Sequence, residues 1–214
     1  MKGINHIVTG VSTAVIVDTT LRAVSYETGF DIYNNICQFT EWQLVSETTS
    51  QTEQVLFTAL VYLINVVLFV IGCLLPDMDQ ENSLFGRMLY VPVTHRTWTH
   101  TVWFITLFAI PAIFARCFIW TVYGCILHIF YDSLSKGGIC WFYPISKYRK
   151  WTSGAQVKKN HKIYLYRTGE MSEAIFVTFI ILAGVGMMIY GIMLTARYGG
   201  LPFHAESLFA VSQA

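Results

Sequence analysis

The sequence predicts an all-α, polytopic membrane bundle of about five helices with a polar site at its inner face. Three observations carry that expectation. Of the 214 residues, 54% are hydrophobic and 13% are charged, a balance that fits neither a disordered chain nor an ordinary water-soluble one. The apolar residues gather into runs longer than a globular core needs. The charges are segregated, with six of the thirteen carboxylates between Asp18 and Glu53 and eight of the fourteen basic residues between Lys136 and Arg167. That distribution, at a net charge of +1, argues for the lipid bilayer as partner and against nucleic acid.

The first apolar run, Ile7 to Val17, is eleven residues long. Lys2 resembles the basic flank of a signal peptide, but Asp18-Thr19-Thr20 offers no small-x-small cleavage site, and Thr9 and Gly10 interrupt the run. It reads as a retained, short or tilted helix, with Gly10 and Ala14 forming a small-residue face for close packing. The acidic segment 18–54 follows. Val55 to Leu75 and Ala174 to Ala196 are uninterrupted by charge and long enough, at about 1.5 Å per residue, to cross a hydrocarbon core of roughly 30 Å. Trp98 to Tyr131 is too long for one crossing and is broken by Pro111 and Arg116. It divides into a helix from Trp98 to Ala115 and another from Cys117 to Leu134, with Arg116 at the turn.

Charge tests the five-helix count independently. With the N-terminus inside, Lys2, Arg87, Arg96 and the eight basic residues of the 136–167 loop are cytoplasmic, against Arg22, Arg116 and Arg197 outside. Eleven against three is a strong positive-inside bias. The expectation is a single multi-pass domain, residues 1–214, in a bacterial cytoplasmic membrane, with 18–54 external and 136–167 a basic cytoplasmic loop. The five cysteines, 37, 73, 117, 125 and 140, form no C-x-x-C pair and suggest neither a disulfide framework nor a thiolate zinc site. Oligomeric state is not legible.

Five polar patterns then fall at one membrane surface: Asn5-His6, Leu75-Pro76-Asp77-Met78-Asp79, His95-Arg96-Thr97-Trp98-Thr99-His100, His128 with Asp132, and Glu170 with Glu173. Ionisable groups at a bilayer are costly and are usually paired, hydrated or metal-bound. His128 and Asp132, four apart on a helix, share a face one turn apart, a spacing that suits two ligands of one metal. Asp77 and Asp79, two apart beside a proline, point in different directions in extended backbone, so one is free to ligate while the other orients a histidine or binds a second ion. Arg96 cannot ligate but is a natural bidentate clamp for phosphate. Each signal alone has a plainer reading: an interfacial histidine, a solvated loop, a positive-inside anchor, or a helix-dipole partner for Glu170 and Glu173. Convergence of four of the six histidines with three aspartates favours a metal centre. Mixed His/Asp ligands without cysteine fit a divalent ion, Zn²⁺ first, then Mn²⁺ or Mg²⁺.

These residues resemble the YdjM-like, LexA-regulated, membrane-bound metal-dependent hydrolases of bacteria. The likeness is carried by His6 with Gly10, Leu75-Pro76-Asp77-Met78-Asp79, His95-Arg96-x-x-Thr99-His100, His128-x-x-x-Asp132, Gly138 with Tyr143-Pro144, and Glu173. Thr97 and Thr101 stand where the family pattern has glycine and serine, and the segment before the second helix is expanded. The family is also distantly similar to zinc-dependent phospholipase C enzymes, here only through His128 and Asp132. The resemblance implies a metal-dependent hydrolase acting on a phosphoester in a phospholipid or lipid-linked substrate. The candidate metal residues are His6, Asp77, His95, His100, His128 and Asp132, with Asp79 and His95 as further ligands or supporting groups. The candidate catalytic residues are Asp79, Arg96, to stabilise phosphoryl charge, and Glu173, to orient a ligand or act as a base. Two rivals are a cation or proton transporter and a non-catalytic adaptor whose metal is structural.

Overall fold

The computed structural model describes residues 3–28, 51–145, 149–150, 157–158 and 165–198. Five α-helices carry the described fold: α1 Gly3–Thr28, α2 Gln51–Leu74, α3 Val102–Phe114, α4 Ile119–Leu134 and α5 Met171–Tyr198. Short 3₁₀ turns at Leu75–Asp79, Trp98–His100 and Arg116–Phe118 link them. The only strands among the described residues are β1 Arg149–Lys150 and β2 Val157–Lys158, an antiparallel pair two residues long within the basic loop. Two compact units are present, Met1–Gly10 with Trp42–Thr178 and Val11–Glu41 with Phe179–Ala214. The candidate site lies wholly in the first.

Helix boundaries depart from expectation in α1 and at the start of α3. The eleven-residue apolar run sits inside the 26-residue α1, so residues 18–28 of the expected acidic segment continue the first helix. The Asp18 carboxylate and Arg22 guanidinium pair at 2.9 Å one turn apart, which lets the helix pass through these charges. Residues 29–50 and Cys37 lie outside the described residues. The helix expected from Trp98 starts only at Val102, because Thr101 is extended and caps it by accepting from the Phe104 amide. It ends at Phe114, with Ala115 as the extended cap residue before the turn at Arg116.

Among the described residues, α1 and the Met171–Leu194 stretch of α5 are long and apolar enough to cross a membrane. At 24 residues, α2 has the length for it. With 13 and 16 residues, α3 and α4 fall short of the roughly 20 a crossing needs; the two crossings expected between Trp98 and Leu134 emerge as a short paired hairpin.

In the first unit, α2 and α4 meet backbone to backbone. A methyl on Gly72 would come within 2.2 Å of the Thr121 carbonyl oxygen, and one on Gly124 within 2.3 Å of the Phe69 carbonyl oxygen. Only hydrogen at these two Cα atoms permits the approach, the small-residue packing that membrane helices use. Thr121 Oγ1 then donates across the seam to the Leu68 carbonyl at 3.2 Å. Gly10 of α1 faces Cys73 and Phe69, so one of its two expected small residues is a packing point. In the second unit, Gly184 and Gly191 of α5 lie against Ser12 and Thr19 of α1.

The seam gives a direct test. Gly124→Ala should cost about 1–3 kcal/mol through overpacking, read by denaturant unfolding in detergent, whereas Gly186→Ala, where an added methyl meets nothing within 4 Å, should be neutral or mildly stabilising. Equal effects would show that the α2–α4 approach is not tight.

Candidate metal centre

The 3₁₀ turn Leu75–Asp79 tightens the chain where α2 ends, with Pro76 in its first turn, and aims Asp77 and Asp79 at different neighbours. The chain then returns through Arg96, whose φ of 62° is the left-handed region that a branched side chain seldom adopts. That strained residue starts the short turn that ends in His100. His128 and Asp132 lie on the buried face of α4, and His6 is on the first turns of α1. His6, Asp77, His100, His128 and Asp132 are all buried.

Their ring nitrogens and carboxylate oxygens form a buried cluster in which His6, Asp77 and His128, and likewise His100, His128 and Asp132, offer ligand atoms within 4.8 Å of one another. His6 Nε2 is 3.4 Å from Asp132 Oδ1, His100 Nε2 is 3.4 Å from Asp132 Oδ2, and His128 Nε2 is 3.6 Å from Asp77 Oδ1. His100 Nε2 is 3.9 Å from Asp77 Oδ1. These separations are too long for good hydrogen bonds. They match neighbouring ligands on one ion, because two atoms each about 2.1 Å from a tetrahedral zinc stand about 3.4 Å apart. The Nε2 atoms of His6, His100 and His128 are buried without a hydrogen-bond partner. Three orphaned imidazole nitrogens in one place are an unusual cost, and a cation removes it. The donor set fits a divalent metal.

The surroundings fix which nitrogen faces inward. His128 Nδ1 donates to the Cys73 carbonyl at 2.6 Å, leaving the Nε2 lone pair for the centre. His100 Nδ1 contacts Thr99 Oγ1 at 2.9 Å, and that hydroxyl donates to Asp79 Oδ2 at 2.6 Å. The hydroxyl proton being committed to Asp79, it accepts from His100, whose Nε2 is again presented inward. His6 stacks on His128, with ring centroids 3.6 Å apart and planes 12° from parallel.

Asp79 is therefore a supporting group. Besides Thr99 it accepts from His95 Nδ1 at 2.7 Å and from the Arg96 amide at 3.1 Å. Burial pushes its carboxyl up, but the His95 hydrogen bond, the charges of His100 and His95, and the Thr99 hydroxyl outweigh it and hold the group below its ordinary value. His95, the half-exposed member, takes its second contact from Gln80, whose side-chain amide also donates to Asp77 Oδ1 at 2.9 Å. One His95 ring nitrogen also groups with Asp77 and His100 within 4.8 Å, so the residue stays on the border between ligand and support.

Arg96 and Glu173 are each engaged by groups in or next to the cluster. Arg96 is buried, with Nε 2.9 Å from Asp132 Oδ2 and a terminal nitrogen 3.0 Å from Ser135 Oγ. The guanidinium holds a carboxylate of the centre before any phosphate. Gly137 makes room for it, since a methyl there would come within 2.4 Å of the guanidinium. Glu173 accepts from Asn5 Nδ2 at 2.7 Å and from the Gly169 amide at 2.6 Å, fastening the start of α1 to the start of α5. Asn5 adjoins His6, so this contact holds the turn that carries His6. Glu170 is exposed and pairs with Arg167.

Sequence reasoning passed over Gln80, Ser135 and Tyr166. Gln80 follows Asp77 by three residues, and the Gly137-Gly138 pair marks the tight space beside Ser135. Nothing local marks Tyr166, which donates to the Tyr131 carbonyl at 2.7 Å and whose own carbonyl accepts from Lys136 at 2.8 Å, closing the base of the basic loop next to α4.

The purified protein should hold about one divalent ion per chain, lost in His128→Ala and in Asp132→Ala by elemental analysis. Thr99→Val, which cuts the link from His100 to Asp79, should weaken metal binding about 10–100-fold against a chromophoric chelator, and Thr99→Ser should restore it. Equal affinity in both Thr99 variants would contradict the assigned hydrogen-bond chain.

A comparison with known families gives one match: the profile described as YdjM inner membrane protein covers residues 39–197. No curated protein and no solved structure matches the chain significantly, and the expected likeness to phospholipase C enzymes is not shown. Every candidate residue from Asp77 to Glu173 falls inside the matched range, and His6 precedes it. With well over half of the 214 residues matched, the chain belongs to the YdjM inner membrane protein family.

Proposed function

We propose that the chain is a multi-pass membrane hydrolase that uses a divalent metal at its cytoplasmic face to cleave a phosphoester in a lipid or membrane-associated substrate. The observation that carries the reading is the convergence of three partnerless imidazole nitrogens and two carboxylates. Zinc is the first choice, because imidazoles held by hydrogen bonds behind them, as His100 and His128 are, are its usual setting.

His6, Asp77, His100, His128 and Asp132 would hold the ion, and when bound it supplies Lewis acidity toward water or a phosphoryl oxygen. Asp79, through Thr99, keeps the His100 ring turned inward. Arg96 fixes the Asp132 carboxylate and offsets its charge, and Glu173 positions the α1 turn that carries His6. His95 stands at the exposed edge, hydrogen-bonded to Asp79, where it can move a proton between the site and water. A phosphoester is the favoured substrate because Arg96 lies within the site and the 136–167 sequence, with eight basic residues, would gather anionic lipid.

The arrangement favours chemistry over transport. The site residues cluster at one end of each helix, whereas a conduction path needs polar groups along its length; apart from Cys73, the apolar stretch of α2 carries only Thr58, Tyr62 and Asn65 as residues with a polar group.

Two measurements test the reading. Reconstituted protein given labelled phospholipid should release headgroup or phosphate, and chelation or Asp132→Asn should abolish the release; inactivity across lipid classes with metal bound would contradict it. For orientation, native Cys140 is fully buried and reports nothing. In a Cys37→Ser background, Lys136→Cys should react with a membrane-impermeant maleimide only after the inner face is opened, and Glu27→Cys in intact cells. The reverse pattern would invert the topology.

A further inference from the structure

Between Asp79 and His95 the chain forms a turn-rich segment, residues 80–94, that supplies no candidate metal ligand. Its composition is odd for a loop: Leu84, Phe85, Met88, Leu89, Tyr90, Val91 and Val93 occur within ten residues, with Glu81 and Arg87 as its only charges. Phe85 and Val91 pack onto the buried cluster of Leu75, Met78 and Cys125. Leu84, Met88, Leu89 and Tyr90 do the opposite, being 63%, 80%, 60% and 46% exposed. Water-facing loops do not collect large apolar side chains in this way.

The backbone is equally unusual. The amides of Ser83, Gly86, Arg87, Met88, Leu89, Val91 and Val93 all donate to acceptors within residues 78–91. A segment in which seven backbone amides are bonded internally and whose apolar side chains point outward suits the apolar margin of a bilayer, where backbone polar groups need internal partners. It is also continuous in sequence with an apolar surface of the same kind, since Trp98, Trp103, Leu107, Ile110, Ile113 and Phe114 along the following turn and α3 are exposed. Tyr90, Trp98 and Trp103 are the residue types that settle at headgroup level.

We infer that residues 84–90 form a lip that dips into the inner leaflet, with Leu84, Met88 and Leu89 in the acyl margin and Arg87 at the headgroups. The lip is fastened to the metal centre. Ser83 Oγ donates to the Asp77 carbonyl at 2.7 Å, and Gly86 lies so close to the Gln80 carbonyl that a side chain there would come within 1.8 Å. Its depth therefore sets the level at which His95, the exposed edge of the site, meets lipid. The inference deepens the proposed lipid substrate, and the occupant it names is the monolayer itself.

Site-directed spin labelling tests it without reference to catalysis. Full-length protein carrying Cys37→Ser with Met88→Cys, and separately with Leu84→Cys, is labelled with a nitroxide and reconstituted in phosphatidylethanolamine/phosphatidylglycerol vesicles; Glu81→Cys serves as the aqueous reference. The four other cysteines are buried. The labels at 84 and 88 should collide several-fold more with oxygen, relative to nickel-EDDA, than the label at 81. Preferential collision with nickel would place the segment in water and overturn the lip. Protection from both reagents would show that a protein partner or a second copy covers it, and would overturn it equally. Either result can be read whether or not phospholipid is hydrolysed, so failure of the lip and failure of the hydrolase are separable.

Discussion

The organising constraint is the burial of three imidazoles and two carboxylates at a single point of an apolar molecule. Each unpartnered buried polar atom costs on the order of 1–3 kcal/mol; His100 and His128 each bring one and His6 brings both of its ring nitrogens. Most of the polar contacts described at this end of the molecule make sense as preparation for a cation that removes this cost. The Cys73 carbonyl and the Thr99–Asp79 pair turn two rings inward. Arg96 balances Asp132, and Gln80 steadies Asp77.

The helices are arranged to serve that point. The approach of α2 and α4 through Gly72 and Gly124 brings the Cys73 carbonyl within reach of His128, so a packing feature in the apolar part of the fold sets the tautomer of a ligand. The α1 turn bearing His6 is tied down by Asn5 and Glu173. Membership of an inner membrane family explains why these devices are backbone contacts, small residues and internal hydrogen bonds: the bilayer offers no water to complete them.

Much of this was legible in the sequence where a period governs it. The four-residue spacing of His128 and Asp132 requires only that α4 be helical, and the two-residue spacing of Asp77 and Asp79 already implied different partners. The charge-free runs marked the cores of α1, α2 and α5. Helix ends were harder, because hydropathy is blind to an i,i+4 pair such as Asp18 and Arg22, which carries α1 past its apolar run, and to the cap at Thr101, which delays α3. Least legible were roles set by distant contacts. A basic residue beside histidines suggests a phosphate clamp, and only the left-handed turn at Arg96 and the space beside Gly137 show that its guanidinium is already engaged by Asp132 and Ser135.

The most direct test of the account is X-ray absorption at the metal edge of the purified wild-type protein. The account predicts a bound divalent ion with a first shell of nitrogen and oxygen only, and outer-shell scattering that counts about three imidazoles. A folded protein that retains no ion, or a shell containing sulfur from the buried cysteines, would contradict it.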